Sequence, residues 1–274
     1  MKYADLHIHS NFSDSSFNCE DIFKRASSYG LSCISIVDHD SLEAYSSEDI
    51  TSLAEKYSVE IIKGIEFSSQ HKDKEIHLLG YFSDRSIEEE FLLLLKKIKN
   101  DRMVRISEII NKLKDLKVVV DPDEFKDFTA GASLSRLHLA TFLTKKRLVK
   151  DIKEAFSKYL GVGKEAYVSR FRYELPEAIK ILNRAGALVF LAHPFNTYTL
   201  DQIKEFIPYG LAGIEVFYPF YSQATIESYK SFAEENGILI TGGSDSHGRY
   251  KRHIIGAAKL PYEYVEQIKQ AFKT

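Results

Sequence analysis

With 274 residues, 44% of them hydrophobic, the chain can bury a sizeable core, and its length suits one large α/β domain, or one domain carrying an insertion, better than two equal domains. Its 37 basic and 39 acidic residues leave a net charge of -2 with no long tract of one sign, which excludes a histone-like or membrane-surface binder and requires any anionic substrate to be held locally. Cys19 and Cys33 form neither a Cys-x-x-Cys motif nor a disulfide framework, and no apolar leader or run of about 18 apolar residues is present, so a soluble cytoplasmic protein with no membrane partner is expected.

Alternation over residues 3–9 predicts a first strand. Asn18, followed by Glu20 and Asp21, predicts a helix start, and Gly30 its end. A β-rich run over 33–37 stops at Asp38-His39-Asp40; a helix over 41–57 and a strand over 59–65 follow, the strand stopping at Glu66. Between about 88 and 168 the strand signal gives way to amphipathic helical patterns over 87–116, 134–144 and 149–159. Strands return at 187–191, 213–217 and 238–241, after a helix over 176–185, and end at Ala192-His193-Pro194 and Gly243-Ser244-Asp245-Ser246-His247. The alternation predicts an α/β fold with a mostly parallel sheet, and polar residues at the C-terminal ends of strands point to a distorted barrel. The barrel is assigned to 1–87 and 169–274, with 88–168 a helical insertion packed on it as a lid.

In Asp5-Leu6-His7-Ile8-His9 the two imidazoles share one strand face and can grip one metal ion; alone, such a pair is as well explained by ordinary strand histidines bonded to backbone or water. Company favours metal, since His7, His9, His39, His77, His193 and His247 all fall within or just beyond predicted strands. Asp14, Glu66 and Asp245 add hard oxygen donors, with Glu66 the candidate bridge between two ions. Asp38 is left open between ligand, orienting group and helix cap. Ser10, Ser13, Ser244 and Ser246 read as hydrogen-bonders around the ligands rather than nucleophiles.

The series D-L-H-I-H-S at 5–10, S-D at 13–14, D-H-D at 38–40, G-I-E-F-S at 64–68, I-H-L-L-G at 76–80, A-H-P at 192–194 and G-S-D-S-H at 243–247 resembles the PHP (polymerase and histidinol phosphatase) superfamily. The D-H-D form, the E-I-H before Leu78 and the insertion carrying Ser135-Arg136-Leu137-His138 and Gly163-Lys164 are most similar to its stand-alone bacterial branch, which includes nucleoside 3',5'-bisphosphate phosphatases, some of which trim RNA from the 5' end. The resemblance implies a distorted (β/α)7 TIM-like barrel with three divalent ions, Mn²⁺ first, with Fe²⁺, Zn²⁺ or Mg²⁺ as alternatives. His7, His9, Glu66 and Asp245 would surround the first ion; Glu66, His77 and His193 the second; Asp14, His39 and His247 the third.

The implied chemistry is attack of a metal-bridging hydroxide on a nucleotide phosphate monoester, with Glu66, Asp245 and His247 at the catalytic centre. Arg136, His138 and Lys164 are the candidate substrate contacts, since a second cationic grip suits a nucleoside bisphosphate or an RNA 5' end. Phe195, Tyr198, Phe217, Tyr218 and Phe220 follow strand ends, where a base could stack, although most such aromatics are core. Two other readings stand against this one. A histidinol-phosphate phosphatase would need a spare carboxylate for its amine, for which only Asp38, Asp40 and Glu215 are available. A non-catalytic metal-binding module docking on a replication partner is opposed by the filled ligand set, and no obligate protein partner is evident.

Overall fold

The computed structural model describes residues 1–72, 74–83, 87–195, 197–250 and 254–273. β1 (Tyr3–Ile8) is followed by α1 (Cys19–Ser28), whose N-cap Asn18 side chain accepts from Asp21 N at 2.8 Å, a cap contributing about 1 kcal/mol. Ile22, Phe23 and Ala26 form its buried face, and Gly30, at φ +70°, turns the chain into β2 (Leu31–Ile36). The helix expected over 41–57 is two helices, α2 (Glu43–Ser47) and α3 (Ile50–Tyr57). Glu48 is extended, and the Asp49 side chain restarts the helix by accepting from Ser52 N at 3.1 Å. The strand expected over 59–65 is a two-residue strand, Glu60–Ile61, and then the longer β3 (Lys63–His71).

The sheets depart from mostly parallel at β4 (Lys74–Phe82), which runs antiparallel both to β3 and to β5 (Ala187–Leu191). Only positions 72 and 73 separate β3 from β4, too few for a parallel crossover, and Lys72 turns at φ +49°. β5, β6 (Gly213–Phe217) and β7 (Leu239–Gly242) are parallel neighbours, as are β1 and β2. The two sheets meet at two isolated bridges, Ile8↔Ser246 and His39↔Glu66, supported by His9 N→Ser246 O at 3.0 Å, Asp245 N→His7 O at 2.8 Å and Asp40 N→Glu66 O at 2.9 Å. The result is a distorted β/α barrel whose two sheets are bridged, among the described residues, at the mouth, where the metal-type side chains lie.

Inside, Leu6, Ile65, Phe67, Leu79, Tyr81, Phe190 and Val216 are fully buried, each large aliphatic or aromatic contributing about 1.5–3 kcal/mol. A second core belongs to α4 (Glu89–Asp115), α5 (Pro122–Thr129), α6 (Arg136–Lys145) and α7 (Ile152–Ala155), and is built from Ile106, Ile109, Leu113, Phe125, Leu139, Phe142 and Leu143. The helix expected over 149–159 is shorter, starting at the Asp151 cap and widening after α7 into a π-turn, Phe156–Leu160. α4 belongs to both cores: Phe91 and Leu95 pack into the barrel, Ile106 and Leu113 into the helical cluster. α8 (Leu175–Arg184), α9 (Leu200–Lys204), α10 (Gln223–Asn236) and α11 (Tyr262–Ala271) complete the described helices. None is long and apolar enough to cross a membrane.

Candidate metal centre

β1 delivers His7 and His9 to one face, both with no solvent exposure. The chain after β7 then passes so close that a Cβ on Gly243 would collide with the His7 backbone, so only glycine brings Asp245 and His247 to that face. Glu66 on β3 is the hub: His9 Nε2 stands 3.1 Å from Oε2, His39 Nδ1 3.0 Å from Oε2, His77 Nδ1 2.8 Å from Oε1, His193 Nε2 3.2 Å from Oε1 and His7 Nε2 3.5 Å from Oε1. Asp245 Oδ1 lies 3.3 Å from His9 Nε2 and 3.6 Å from His7 Nε2. Asp14 Oδ1 lies 3.2 Å from His247 Nε2 and 3.8 Å from His39 Nε2. His77 sits near the start of its strand, not the end, because β4 is reversed and its N-terminal half reaches the barrel mouth.

Three groups of donor atoms could each hold an ion: His7, His9, Glu66 and Asp245; His9, Asp14, His39 and His247; His39, Glu66 and His77. His39 therefore stands between two of them rather than in one. His7 Nε2, His9 Nε2, Asp14 Oδ1, His39 Nδ1 and Glu66 Oε2 are buried with no hydrogen-bond partner among the described residues, and such convergent lone pairs fit a divalent cation. The carboxylates and imidazoles shift one another in the metal-free cluster. Burial disfavours every charge here, yet Glu215 and Glu66 raise His7 well above its usual range, and Asp245 and Glu66 raise His9 to about 9. Glu66 and Asp14 are held well below the usual carboxylate range against their own burial, by the surrounding histidines. Burial dominates at His39 and lowers it.

Around this cluster lie the groups that fix it. Glu215 Oε1 is 2.9 Å from His7 Nδ1, leaving Nε2 to face the cluster. His247 Nδ1 bonds Asp245 O at 2.9 Å, and Tyr218 donates to Asp245 Oδ2 at 2.9 Å. Asp38, left open above, accepts from Ser10 N at 2.8 Å, Ser10 Oγ at 2.5 Å and Ser13 Oγ, pinning the loop that carries Asp14. Asp40, His193 and Asp245 adopt φ of +50°, +64° and +51°, a concentration of left-handed non-glycine residues typical of functional sites.

Beside the metal-type cluster opens a cavity of about 370 Å³ lined by Asp14, His39, His77, Arg102, Arg105, Arg136 and Arg170 among others. Residues 5–274 match the PHP domain. The chain belongs to the PHP family. It is 28% identical over 251 residues to a 5'-3' exoribonuclease of Haemophilus influenzae, covering 90% of each chain. A 3',5'-nucleoside bisphosphate phosphatase of Chromobacterium violaceum is 26% identical over 254 residues, covering 90% of this chain and 88% of that one. A phosphoribosyl 1,2-cyclic phosphate 1,2-diphosphodiesterase of Eggerthella lenta is 24% identical over 252 residues, covering 90% and 95%. Among solved structures, a Bifidobacterium adolescentis protein provisionally assigned as a metal-dependent phosphoesterase superposes with a TM-score of 0.87 at 23% identity, covering 97% and 94%. An amidohydrolase from Chromobacterium violaceum gives 0.81 at 24%, covering 97% and 96%. The chain is thus a metal-dependent PHP phosphoesterase with the family's distorted barrel.

Of the three substrate contacts expected from sequence, only Arg136 lines the cavity, its Nη1 donating to Leu160 O at 3.1 Å. His138 is buried and turned inward: its Nδ1 accepts from Ser135 N at 3.1 Å in a capping box, and Ser135 Oγ donates to Asp14 Oδ2 at 3.0 Å. Lys164 lies exposed in the turn after Gly161. The residues missed from sequence are Arg102 and Arg105 on α4, and Arg170, Arg172 and Glu75 facing the same space. Of the aromatics, Phe195 and Phe220 are exposed, whereas Tyr218 is tied to Asp245.

Proposed function

We propose that the protein hydrolyses a phosphate monoester of a nucleotide that carries a second phosphate, a nucleoside 3',5'-bisphosphate first, with RNA 5' ends as a related substrate class. The observation that carries this reading is one cavity with two unlike walls, with Asp14, His39, His77 and His247 of the metal-type cluster on one and the guanidinium groups of Arg102, Arg105, Arg136 and Arg170 on the other. His7, His9, Asp14, His39, Glu66, His77, His193, Asp245 and His247 would hold three divalent ions, with Glu66 shared. Imidazole and carboxylate donors without thiolate suit Mn²⁺ first, then Fe²⁺, Zn²⁺ or Mg²⁺. Bound ions supply a nucleophile at neutral pH and neutralise the phosphoryl oxygens.

The protein's own residues do the rest. Glu215 presents His7 in one tautomer, Asp38 holds the Asp14 loop, and Tyr218 orients Asp245. The arginine wall, carried by α4, Arg136 and the 170–172 segment, lies over the mouth as a lid and grips the phosphate that is not cut. The named activities of the Haemophilus influenzae and Chromobacterium violaceum relatives support a nucleotide substrate.

A histidinol-phosphate phosphatase is disfavoured by the fate of its three candidate amine acceptors. Asp38 is taken by Ser10 and Ser13, Asp40 by Arg102 and Arg170, and Glu215 by His7. The test is Mn²⁺-loaded protein given adenosine 3',5'-bisphosphate or histidinol phosphate. The bisphosphate should turn over about 100-fold more efficiently by kcat/KM, because a site built for a polar group rejects substrates lacking it. Faster turnover of histidinol phosphate overturns the reading.

A further inference from the structure

The arginine wall already contains an anion of its own. Glu75 lies two residues before His77 on β4, and its one-third-exposed carboxylate receives Arg170 Nη2 at 3.0 Å on Oε1 and Arg172 Nη2 at 2.6 Å on Oε2, with Arg136 Nη2 3.7 Å away. The ion pairs of Arg102, Arg136, Arg170 and Arg172 in this space go to Glu75 and Asp40, and Asp40 is engaged by Arg102, Arg170 and Ser68 N. Arg105 Nη2, Arg170 Nε and Arg172 Nε are buried donors with no partner among the described residues. A phosphate gripped in the fork of Arg170 or Arg172 uses Nε together with Nη2, and in both residues Nη2 is the donor that Glu75 now occupies.

We propose that Glu75 is an internal competitor for the second-phosphate subsite, displaced when a substrate's uncut phosphate takes Arg170 and Arg172 and returning to them after reaction. This rests on the bisphosphate reading above. Its consequence concerns the product, which keeps the uncut phosphate and would otherwise be retained by the whole guanidinium wall; recapture of the two arginines by Glu75 lowers that retention and favours release. A carboxylate that merely organised the arginines would have the opposite sign, since losing it would scatter them and weaken phosphate binding. Glu75 also stands 3.6 Å from His77 Nε2, so Mn²⁺ content must be measured on every variant.

The test compares wild type, Glu75→Gln and Glu75→Asp, each checked for melting temperature. Inorganic phosphate is titrated calorimetrically into the full-length, chelator-treated proteins, and the adenosine monophosphate left by the reaction is used as inhibitor of the Mn²⁺-loaded ones. Glu75→Gln should bind phosphate about tenfold more tightly, lower the product inhibition constant by a similar factor and lower KM for the bisphosphate, the change expected from removing one neighbouring negative charge. KM for an adenosine monophosphate lacking the second phosphate should not fall with it, and Glu75→Asp, retaining the charge, should stay within about threefold of wild type. Unchanged or weaker phosphate binding in folded Glu75→Gln overturns the proposal. Should wild type not cleave the bisphosphate at all, the functional reading falls, while the phosphate titration still decides the role of Glu75.

Discussion

The two walls of the cavity are built by different means. The metal-type wall is set by strand backbone: His7 lies on β1 with His9 just past its end, Glu66 lies on β3, and the backbone N–H of Asp245 donates to His7 O. Most of its side chains are buried, His39, His77 and His193 being partly exposed, and they converge on Glu66. The guanidinium wall is assembled from a long helix, a helix start and an extended segment, and it is held by ion pairs to Asp40 and Glu75. Arg102 shows the difference best. Its guanidinium pairs with Asp40 from the barrel and its Nη1 donates to Leu134 O in the insertion at 2.9 Å, so one side chain ties the two bodies together. The first wall is thus carried by strands and the residues just beyond them, and the second by guanidiniums that α4, the start of α6 and the 170–172 segment bring together.

The largest effect should come from the first wall. His9→Ala removes a donor shared by two of the three possible ion groups and should lower kcat/KM by about 10³-fold, with a parallel loss of bound Mn²⁺ by elemental analysis. Full activity in that variant would break the distinction. In the second wall, Arg102→Ala leaves the Asp40 carboxylate buried with only Arg170 as a charged partner. It should cost about 3 kcal/mol of stability in urea unfolding, toward the low end for a broken buried pair because Arg170 remains 3.4 Å away. A change near zero would mean that the insertion docks without this tie. Next in size is Glu215→Gln. It releases the tautomer of His7 and should weaken Mn²⁺ affinity about 10–100-fold, so that activity returns at high Mn²⁺. Failure of excess metal to restore turnover would show that Glu215 does more than orient a ligand.

A pH series separates the walls without mutation. In metal-free protein His9 keeps its proton to about 9, raised against burial by Asp245 and Glu66, and His77 to about 10, raised against burial by Glu66 and Glu75. Stability from these protonated histidines is fully present below their unfolded value of 6.5 and is lost as pH rises through about 9 to 10. Glu66 and Asp14 act with the opposite sign: their contribution is present above about pH 4.5 and disappears only as acid reaches their depressed range. Because a ligating histidine must be neutral, metal binding expels these protons and its affinity should climb with pH across the same window. The melting temperature of chelator-treated protein should therefore fall between pH 7 and 10 while the upward shift produced by Mn²⁺ grows. A Mn²⁺ shift independent of pH would place metal binding elsewhere.

This contrast also explains what could be read from sequence. Strand periodicity and the placement of histidines and carboxylates at strand ends marked the side chains of the first wall, because backbone geometry alone sets where they point. The reversal of β4 escapes the sequence reading, which gives the strand of His77 no bounds or direction, although the two-residue link from β3 forbids a parallel crossover. Helix ends were misjudged where a capping aspartate interrupts an apolar pattern, at Asp49 and Asp151. Arg102 and Arg105 fall within the amphipathic pattern over 87–116, where nothing local distinguishes a helix face turned to solvent from one turned to a cavity. The alternation Arg170-Phe171-Arg172 was the one available signal: in extended chain it puts both guanidiniums on one side, and Phe171 is indeed 75% exposed on the other.

The smallest predicted effect tests whether cation placement, rather than cation number, makes the second wall. Sequence grouped Arg136 and Lys164 as equal partners, but the structure separates them. Arg136 is held over the Phe156 and Tyr167 rings, centroids 5.7 and 5.4 Å away, with its fork near Glu75, whereas Lys164 sits exposed in a turn outside the cavity lining. An exposed ammonium is screened by salt over about 8–10 Å, so it can steer an anion but hardly grip one. Lys164→Ala should change KM for the bisphosphate by no more than about twofold, and only at low ionic strength. Arg136→Ala should raise it about tenfold or more at any salt, because a half-buried fork loses a charge-assisted bond. Equal effects from the two variants would mean that the turn after Gly161 folds over the bound nucleotide, and the guanidinium wall would then extend further along the insertion than the arginine cluster itself.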